Sequence, residues 1–287
     1  MSAFIAAASL PMARKPFADD RWHPIWSIKI LPSTTNVFNH VVILSWEGEA
    51  DNELPSRYSE DSEMRYNKTV EARFISRPNR FIAQVEVAGK IETVHVKNTG
   101  RCKELLLPNS QVILSEADNP ARKTRYDLIA VEKAGLGLVN IDSQAPNKVM
   151  AEWLSVQGYD LVQPEYTYGK SRIDFYMERG EQKYLLEVKG CTLERDGIGY
   201  FPDAPTERGM KHIHELIRAK REGYWCGMAF VIQMPKVKEV RPNVETHPEF
   251  GVAWQEAVEA GVRIWFLGCD VVENTLTVDE ERVIARE

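Results

Sequence analysis

The chain has 287 residues, of which 44% are hydrophobic, and a net charge of −6, so it can form two modest domains with hydrophobic cores. Its apolar stretches are strand-sized and interrupted by polar residues, which excludes a helix of the roughly 20 apolar residues needed to cross a membrane. Four cysteines without paired spacing exclude a zinc site or a disulfide framework and favour a reducing cytoplasm: Cys102, Cys191, Cys226 and Cys269.

Residues 1–63 form a segment of distinct composition. They combine short apolar pieces with Pro, Ser and Asn, end in the acidic run EGEADNELPSRYSEDSE and show no sustained period. We predict that most of this segment is disordered. Alternating strands begin abruptly after Met64, so one interpretation is that Met64 is the natural start and that a mis-assigned extension precedes it. A genuine flexible tail is the other interpretation.

Residues 64–145 predict a small β-barrel. Short β-prone runs, separated by Pro, Gly and Asn signals at close spacing, favour a five-stranded, OB-like barrel, a fold that commonly binds nucleic acid. This part of the chain carries a net positive charge although the whole is acidic. The basic residues form either a DNA-binding surface or an ordinary solvated face; they are Arg80, Lys97, Arg101, Lys103, Arg122, Lys123 and Arg125.

From Pro146 the pattern changes to alternating helices and strands, which predicts a separate α/β domain over residues 146–287. In the first helix, residues 146–157, helical spacing places Glu152 on the same face as Val149, Trp153 and Val156. Acids are rarely buried without a partner. Glu152 is therefore either a partly buried member of an ion pair or a site residue.

Two strands, SRIDFYME and KYLLEVKG, carry the candidate chemistry. The turn between them sets an antiparallel register in which Glu178 pairs with Lys183, and this register places Asp174 opposite Glu187. The period of two puts Lys189 on the same face. The neighbouring apolar residues are predicted to point to the opposite face: Ile173, Phe175, Leu186 and Val188.

Two acids directly opposite each other repel unless a cation lies between them. Mg²⁺ or Mn²⁺ binds through one or two carboxylates together with substrate phosphate, which makes Asp174 and Glu187 candidate metal ligands. Lys189 then orients or deprotonates an attacking water, or neutralises phosphate charge, and the implied reaction is phosphodiester hydrolysis. The alternative is a surface salt-bridge cluster, as for most isolated E-x-K sequences.

The segment GYFPDAPTERGMKHIHELIRAKREG predicts a helix that begins after the N-cap Thr206. Arg208 and Lys211 lie with His212 and Glu215 on a face that either holds a phosphate near the acidic residues or is solvated. His212 and His214 diverge on a helix, so we assign no zinc site. In the later strand MAFVIQMP, Gln233 either hydrogen-bonds within the core or faces the site.

The chain from about Met64 to Gly268 resembles the sugar fermentation stimulation protein A family. The segments that carry the resemblance are RFIAQVEV, VKNTGRCKELLLP, EADNPARKTRYDL, DSQAPNKVMAEWL, GKSRIDFYME, YLLEVKGCTL, GYFPDAPTERGMKHIHEL and FVIQ. The resemblance implies an OB-like domain followed by a PD-(D/E)XK nuclease-like domain, and DNA binding without sequence preference, linked to the regulation of sugar metabolism, notably of maltose.

The family's PD-(D/E)XK motif falls on Asp174, Glu187 and Lys189, with Glu152 as the acidic residue of the preceding helix. Ile173 stands where the motif's name has proline. The expected DNA contacts, mainly to the phosphate backbone, are Arg80, Asn98, Arg101, Arg208 and Lys211. Residues 1–63 lie outside the resemblance.

Two functions remain open at this stage. The first is a Mg²⁺- or Mn²⁺-dependent DNA nuclease, which the complete set of two acids and one lysine favours. The second is a non-catalytic DNA-binding regulator of sugar metabolism on the same scaffold.

Overall fold

The computed structural model describes residues 26–30, 42–46, 64–98, 100–119 and 121–286. The first two ranges are strands, β1 (Trp26–Ile30) and β2 (Val42–Trp46), which pair antiparallel. The remainder of residues 1–63 lies outside the described residues, so the disordered extension stays a prediction. No helix in the described ranges is long and apolar enough to cross a membrane.

The first domain is a closed β-barrel. Its strands are β3 (Thr69–Asn79), β4 (Ile82–Val87), β5 (Lys90–Val96), β6 (Gln111–Glu116) and β7 (Tyr126–Lys133). β3 pairs antiparallel with β4 and β6, β4 with β5, and β6 with β7. A parallel pairing of β5 with β7 closes the barrel in the strand order of an OB-fold. The predicted five-stranded OB-like barrel is confirmed.

Alternation along the barrel strands explains why they fold this way. In β3, β4 and β5 alternate apolar residues are buried inside the barrel, including Ala72, Phe74, Ala83, Val85, Val94 and Val96, whereas β6 and β7 are buried almost continuously. A sixth strand, β8 (Gly137–Asn140), pairs with residues 130–133 of β7, beyond the residues of β7 that pair with β5. It leads directly to the second domain.

The second domain is built on a six-stranded sheet. Its elements are α1 (Ala145–Ser155), β9 (Leu161–Tyr168), β10 (Ser171–Arg179), β11 (Gln182–Cys191), β12 (Leu193–Arg195), β13 (Ile198–Phe201), α2 (Glu207–Arg221), β14 (Trp225–Ile232), β15 (Val240–Pro242), α3 (Pro248–Glu259), β16 (Arg263–Val271) and β17 (Leu276–Arg286). The sheet order is β17-β16-β14-β11-β10-β9, with β11, β14 and β16 parallel. β12, β13 and β15 form a small second sheet.

Helices cover both faces of the main sheet. On one face α1 packs its buried residues in the same cluster as Phe175, Leu186 and Val188. On the other face the buried stripe of α2 packs with Leu185 and residues of β14. Ile173 joins this second cluster, contrary to the prediction; the β9–β10 ladder is interrupted at the next position, Asp174 opposite Glu165, whose φ is 54°. The acidic terminal segment forms the edge strand β17, which the sequence pattern did not predict.

A buried polar network joins the two domains. Gln233, which follows β14, donates from Nε2 to Asn140 Oδ1 at 2.9 Å and to the Asp142 carbonyl at 3.0 Å. Tyr66 hydroxyl donates to Asp142 Oδ2 at 3.2 Å and accepts from Asn140 Nδ2 at 3.1 Å. The Gln144 N–H donates to Asp142 Oδ1 at 2.9 Å, directly before α1 begins. These bonds fix the start of α1 relative to both domains.

Asp127 on the barrel is surrounded by three basic side chains. Arg122 donates to both of its oxygens at 2.7 and 3.0 Å, His95 Nδ1 lies 2.9 Å from Oδ1, and Lys97 Nζ lies 3.2 Å from Oδ2. Burial by itself would raise the pKa of Asp127, but the hydrogen bonds from Arg122 and His95 and the charge of Lys97 outweigh it and hold the pKa at about 2.

Because the folded pKa of Asp127 lies below the usual 3.8, the ionised carboxylate stabilises the folded protein above pH 4. We therefore predict that Asp127→Asn lowers the free energy of unfolding at pH 7 by about 2 kcal/mol. The difference from wild type should shrink as the pH falls from about 4 towards about 2. Urea unfolding at a series of pH values measures this. Asp118→Asn, at an exposed position that precedes Arg122 in the same loop, is the control, and an equal effect of the two substitutions would contradict the prediction.

Candidate active site

Asp174 lies on β10 at the end of its pairing with β11. The pairing of Glu178 with Lys183 is confirmed, and the register continues to Phe175 opposite Leu186. One residue further, the Asp174 side chain takes the place of a backbone acceptor, since its Oδ2 accepts the N–H of Val188 at 2.8 Å. Its Oδ1 accepts from Asn147 Nδ2 at 2.9 Å. The carboxylate is thus held between β11 and the first turn of α1.

Glu187 is the buried carboxylate of the site, with only 1% of its surface exposed. Its Oε1 accepts hydrogen bonds from Lys189 Nζ and from Nδ1 of His212 on α2. Its Oε2 is buried and has no hydrogen-bond partner among the described residues. Lys189 and Glu187 are therefore in direct contact, and both lie near enough to Asp174 for their charges to act on its pKa, although the β10–β11 ladder itself ends at Phe175 opposite Leu186.

The two carboxylates have different electrostatic environments. Burial raises the pKa of Asp174, and the negative charge of Glu187 raises it further. Burial also acts on Glu187, but the charge of Lys189 and the hydrogen bond from His212 outweigh it and hold the pKa of Glu187 below its usual range. Of the two carboxylates, Glu187 is therefore the one whose charged form its surroundings stabilise.

The site offers only a few protein oxygens that could bind a divalent cation. The unpartnered Oε2 of Glu187 and the remaining lone pairs of the Asp174 carboxylate suit a hard cation. In the part of the chain that the structure describes, no group of three or more His, Cys, Asp or Glu residues is arranged to hold a metal. The donor set thus fits a cation that keeps several waters, as Mg²⁺ does, and does not form a complete protein cage.

Asn147, on the first turn of α1, contacts Asp174, and its position was not predicted from the sequence. Glu152 lies five residues further along the same helix, which is about 140° around the axis from Asn147. Glu152 is half-buried, and the idea that it reaches the same cavity stays a prediction. Asn147 stands in the quoted segment DSQAPNKVMAEWL, but one amide at a helix start carries no signal of a site by itself.

His212 is the second site residue that was not identified. The α2 helix begins after Thr206, whose hydroxyl accepts from the Gly209 N–H at 3.0 Å, as predicted. The helical face assigned from spacing is divided: Arg208 and Lys211 are exposed, whereas His212 and Glu215 are buried. His214 is exposed on the other side, so the two histidines do diverge.

Gln233 lies beside the site although its amide is satisfied in the domain junction. A Cβ on Gly190, the residue after Lys189, would lie 2.3 Å from Gln233 Oε1 and 2.8 Å from Pro146 Cγ. Glycine at this position therefore permits β11, the residue after β14 and the start of α1 to approach closely. Of the two alternatives for Gln233, the hydrogen bonds to Asn140 and Asp142 favour a structural role.

The candidate DNA contacts differ in their availability. Within the described ranges, Arg80, Arg101, Arg208 and Lys211 are exposed and make no ion pair. Asn98 is half-buried, and its side chain donates to the Ile141 carbonyl at 2.9 Å and accepts the Gly100 N–H at 2.7 Å. Three of the other basic residues of the barrel are committed to acids: Lys97 and Arg122 to Asp127, and Arg125 to Glu116.

Family models match both domains. Residues 75–141 match the SfsA N-terminal OB domain, and residues 144–275 match the sugar fermentation stimulation protein RE domain. A sugar fermentation stimulation protein homolog of Desulfitobacterium hafniense (strain Y51) is 51% identical over 217 residues, 74% of this chain and 94% of the relative. A homolog of Clostridium beijerinckii is 51% identical over 219 residues, 75% of this chain and 96% of the relative.

A solved structure has the same fold. The structure of Pyrococcus furiosus SfsA in complex with Ca²⁺ matches with a TM-score of 0.65 and 27% sequence identity, and the match covers 78% of this chain and 96% of that one. The predicted combination of an OB domain with a C-terminal α/β domain is therefore confirmed.

The electrostatics of Asp174 predict an effect on stability. Because its pKa is raised in the folded state, the ionised carboxylate destabilises the folded protein at neutral pH in the absence of a cation. Asp174→Asn should therefore raise Tm in EDTA at pH 7.5, since the neutral amide still accepts the Val188 N–H. Differential scanning calorimetry measures the change, with Glu181→Gln in the exposed β10–β11 turn as the control. A fall in Tm for Asp174→Asn alone would contradict this account.

Proposed function

The chain belongs to the sugar fermentation stimulation protein family, and on that premise we propose that it binds DNA without sequence preference and hydrolyses phosphodiester bonds with Mg²⁺ or Mn²⁺. The observation that carries the proposal is the buried, unpartnered Oε2 of Glu187 beside the Asp174 carboxylate. An isolated buried anionic oxygen is costly unless a cation or a donor reaches it.

Asp174 and Glu187 are the residues that would hold the cation. When bound, a divalent cation lowers the pKa of a coordinated water and neutralises charge on the phosphate. Asn147 and the Val188 N–H orient Asp174 from two directions, and Lys189 and His212 orient Glu187 through one oxygen only. Such outer contacts fix the direction of the ligand oxygens. The Ca²⁺ in the structure of Pyrococcus furiosus SfsA supports an affinity for a cation that prefers oxygen.

Lys189 supplies a positive charge at the reacting position. Its ammonium contacts Glu187 Oε1, and 16% of its side chain is exposed, so the charge is partly accessible to solvent while it stays paired with the carboxylate. In phosphoryl chemistry a fixed cation stabilises the charge that develops on the transferred group. Lys189 therefore either orients the attacking water or stabilises the phosphate, and Glu187 determines where the ammonium lies.

The exposed basic residues support DNA binding. Arg80 and Arg101 on the barrel and Arg208 and Lys211 on α2 are free of ion pairs in the described part of the chain. Phosphates are bound by such charges without reading the base sequence. The proposed link to sugar metabolism is supported by the name of the relatives, sugar fermentation stimulation protein homolog.

The second candidate function is a non-catalytic DNA-binding regulator of sugar metabolism. The saturation of Glu187 Oε1 by Lys189 and His212 favours it, because a stable ion cluster needs no metal to hold these three side chains together. The two functions differ in what a divalent cation does to the protein.

Cation binding separates the two functions. We predict that titration calorimetry with Ca²⁺ or Mn²⁺ gives saturable binding to the wild type, and that Glu187→Gln and Asp174→Asn weaken it by at least about tenfold, in line with the loss of one ligand. Glu181→Gln, which removes an exposed carboxylate from the same hairpin, should leave the affinity unchanged. Equal affinity of all four proteins would place the cation elsewhere and contradict the proposed site.

Cleavage and binding of DNA should respond to different substitutions. Asp174→Ala is expected to abolish Mg²⁺- or Mn²⁺-dependent cleavage but to spare binding in EDTA. Arg101→Ala or Arg208→Ala should weaken binding to all sequences alike and reduce the log-log salt slope by about one. Gel assays of cleavage and fluorescence anisotropy across a salt series measure these effects. Cleavage that survives in Asp174→Ala would reject the catalytic assignment, and a flat salt response would reject phosphate-dominated binding.

A further inference from the structure

The guanidinium of Arg77 connects two loops of the barrel. Arg77 Nη2 donates to the carbonyls of Arg80 at 2.8 Å and Asn98 at 2.5 Å, and Nη1 donates to those of Gly100 and Arg101, both at 2.9 Å. Four carbonyl oxygens that converge on one point repel each other unless a donor group lies between them. The planar fork of arginine satisfies all four at once, which the single ammonium of lysine cannot do at these positions.

The same segment is fastened to the second domain. The backbone N–H of Arg101 donates to Asp203 Oδ2 at 2.9 Å, and Asp203 lies in the loop that leads into α2. A Cβ on Gly100 would lie 2.3 Å from Asp203 Oδ2 and 2.8 Å from Asn98 Oδ1. Glycine at this position leaves room for the Asp203 carboxylate beside the backbone, and a larger residue would displace the carboxylate from the Arg101 N–H.

These contacts bring together backbone segments that carry basic residues far apart in the sequence. Arg80 and Arg101 are held by the same guanidinium, Arg101 is tied to the loop that precedes Arg208, and Lys211 follows one turn later. All four side chains are exposed and free of ion pairs within the described ranges. The residue after Lys211 is His212, which is buried under α2 and contacts Glu187.

From this arrangement we infer that Arg80, Arg101, Arg208 and Lys211 form one continuous track for the phosphates of a DNA strand, and that Arg77 and Asp203 are the positioning residues that align its two halves. The inference rests on the proposed DNA binding and deepens it. Phosphate contacts determine the register of the protein on DNA. A strand bound on the barrel is thereby directed along α2 towards the Asp174–Glu187 site.

Arg77→Lys tests the alignment because it keeps the charge of the protein and removes the four-carbonyl contact. Anisotropy of a fluorescein-labelled 20-nucleotide DNA, single-stranded and duplex, is measured in EDTA. We expect about fivefold weaker binding and a salt slope reduced by about one, as for one lost phosphate contact. The matched control is Arg73→Lys, an exposed residue of the same strand β3, which should bind like the wild type.

Asp203→Ala tests the alignment through a change in DNA affinity opposite to the one that simple electrostatics predicts. Removal of a negative charge near a phosphate surface should tighten DNA binding by simple electrostatics, and the control Glu207→Ala, exposed in the first turn of α2, should do so. If Asp203 aligns the track, Asp203→Ala weakens binding instead. In the Asp203→Ala background, Arg101→Ala should also cost less affinity than in the wild type, since the two residues are coupled.

The outcomes distinguish the inference from the proposed function. If the wild type binds neither the single-stranded nor the duplex DNA, both the proposed function and the inference are contradicted. A wild type that binds, with Arg77→Lys equal to Arg73→Lys and Asp203→Ala at least as tight as Glu207→Ala, overturns the inference alone. Circular dichroism melting of each variant confirms that the affinities refer to folded protein. If Arg77→Lys does not fold, Asp203→Ala decides the question.

Discussion

The structure of the second domain depends on the buried carboxylate of Glu187. An anion with 1% exposure needs strong partners, and it takes them from Lys189 on its own strand and His212 on α2. Together with the buried apolar stripe of α2, this contact orients the helix on the sheet, with Arg208 and Lys211 at the surface. Both donors use Oε1, so the geometry that stabilises the anion also leaves Oε2 for a cation.

The barrel contributes to the same site through the domain junction. Gln233 and Tyr66 hold Asn140 and Asp142 in a buried network, and the Gln144 N–H completes it at the start of α1. Asn147 is thereby placed against Asp174. The chain segment that leaves the barrel therefore positions Asp174, the proposed cation ligand, on the central sheet.

Local sequence pattern predicted the features that depend on local geometry. The hairpin turn predicted the register from Glu178–Lys183 to Phe175–Leu186, next to Asp174 and Glu187, and alternation predicted the first barrel strands. Long-range partners were beyond such reasoning. Burial of His212 depends on where α2 packs, and its helical position alone is equally consistent with an exposed face. The pairing of Lys97 and Arg122 with Asp127 likewise follows from barrel closure, so their availability to DNA could not be judged from charge.

The central claim is that Asp174 and Glu187 share a divalent cation, and anomalous diffraction from crystals grown with Mn²⁺ tests it most directly. The account predicts one anomalous peak about 2.0 to 2.3 Å from Glu187 Oε2 and within coordinating reach of Asp174, with waters completing the shell. Lys189 and His212 should remain on Oε1. A fully occupied peak elsewhere, with none beside Glu187 Oε2 at millimolar Mn²⁺, would contradict the claim.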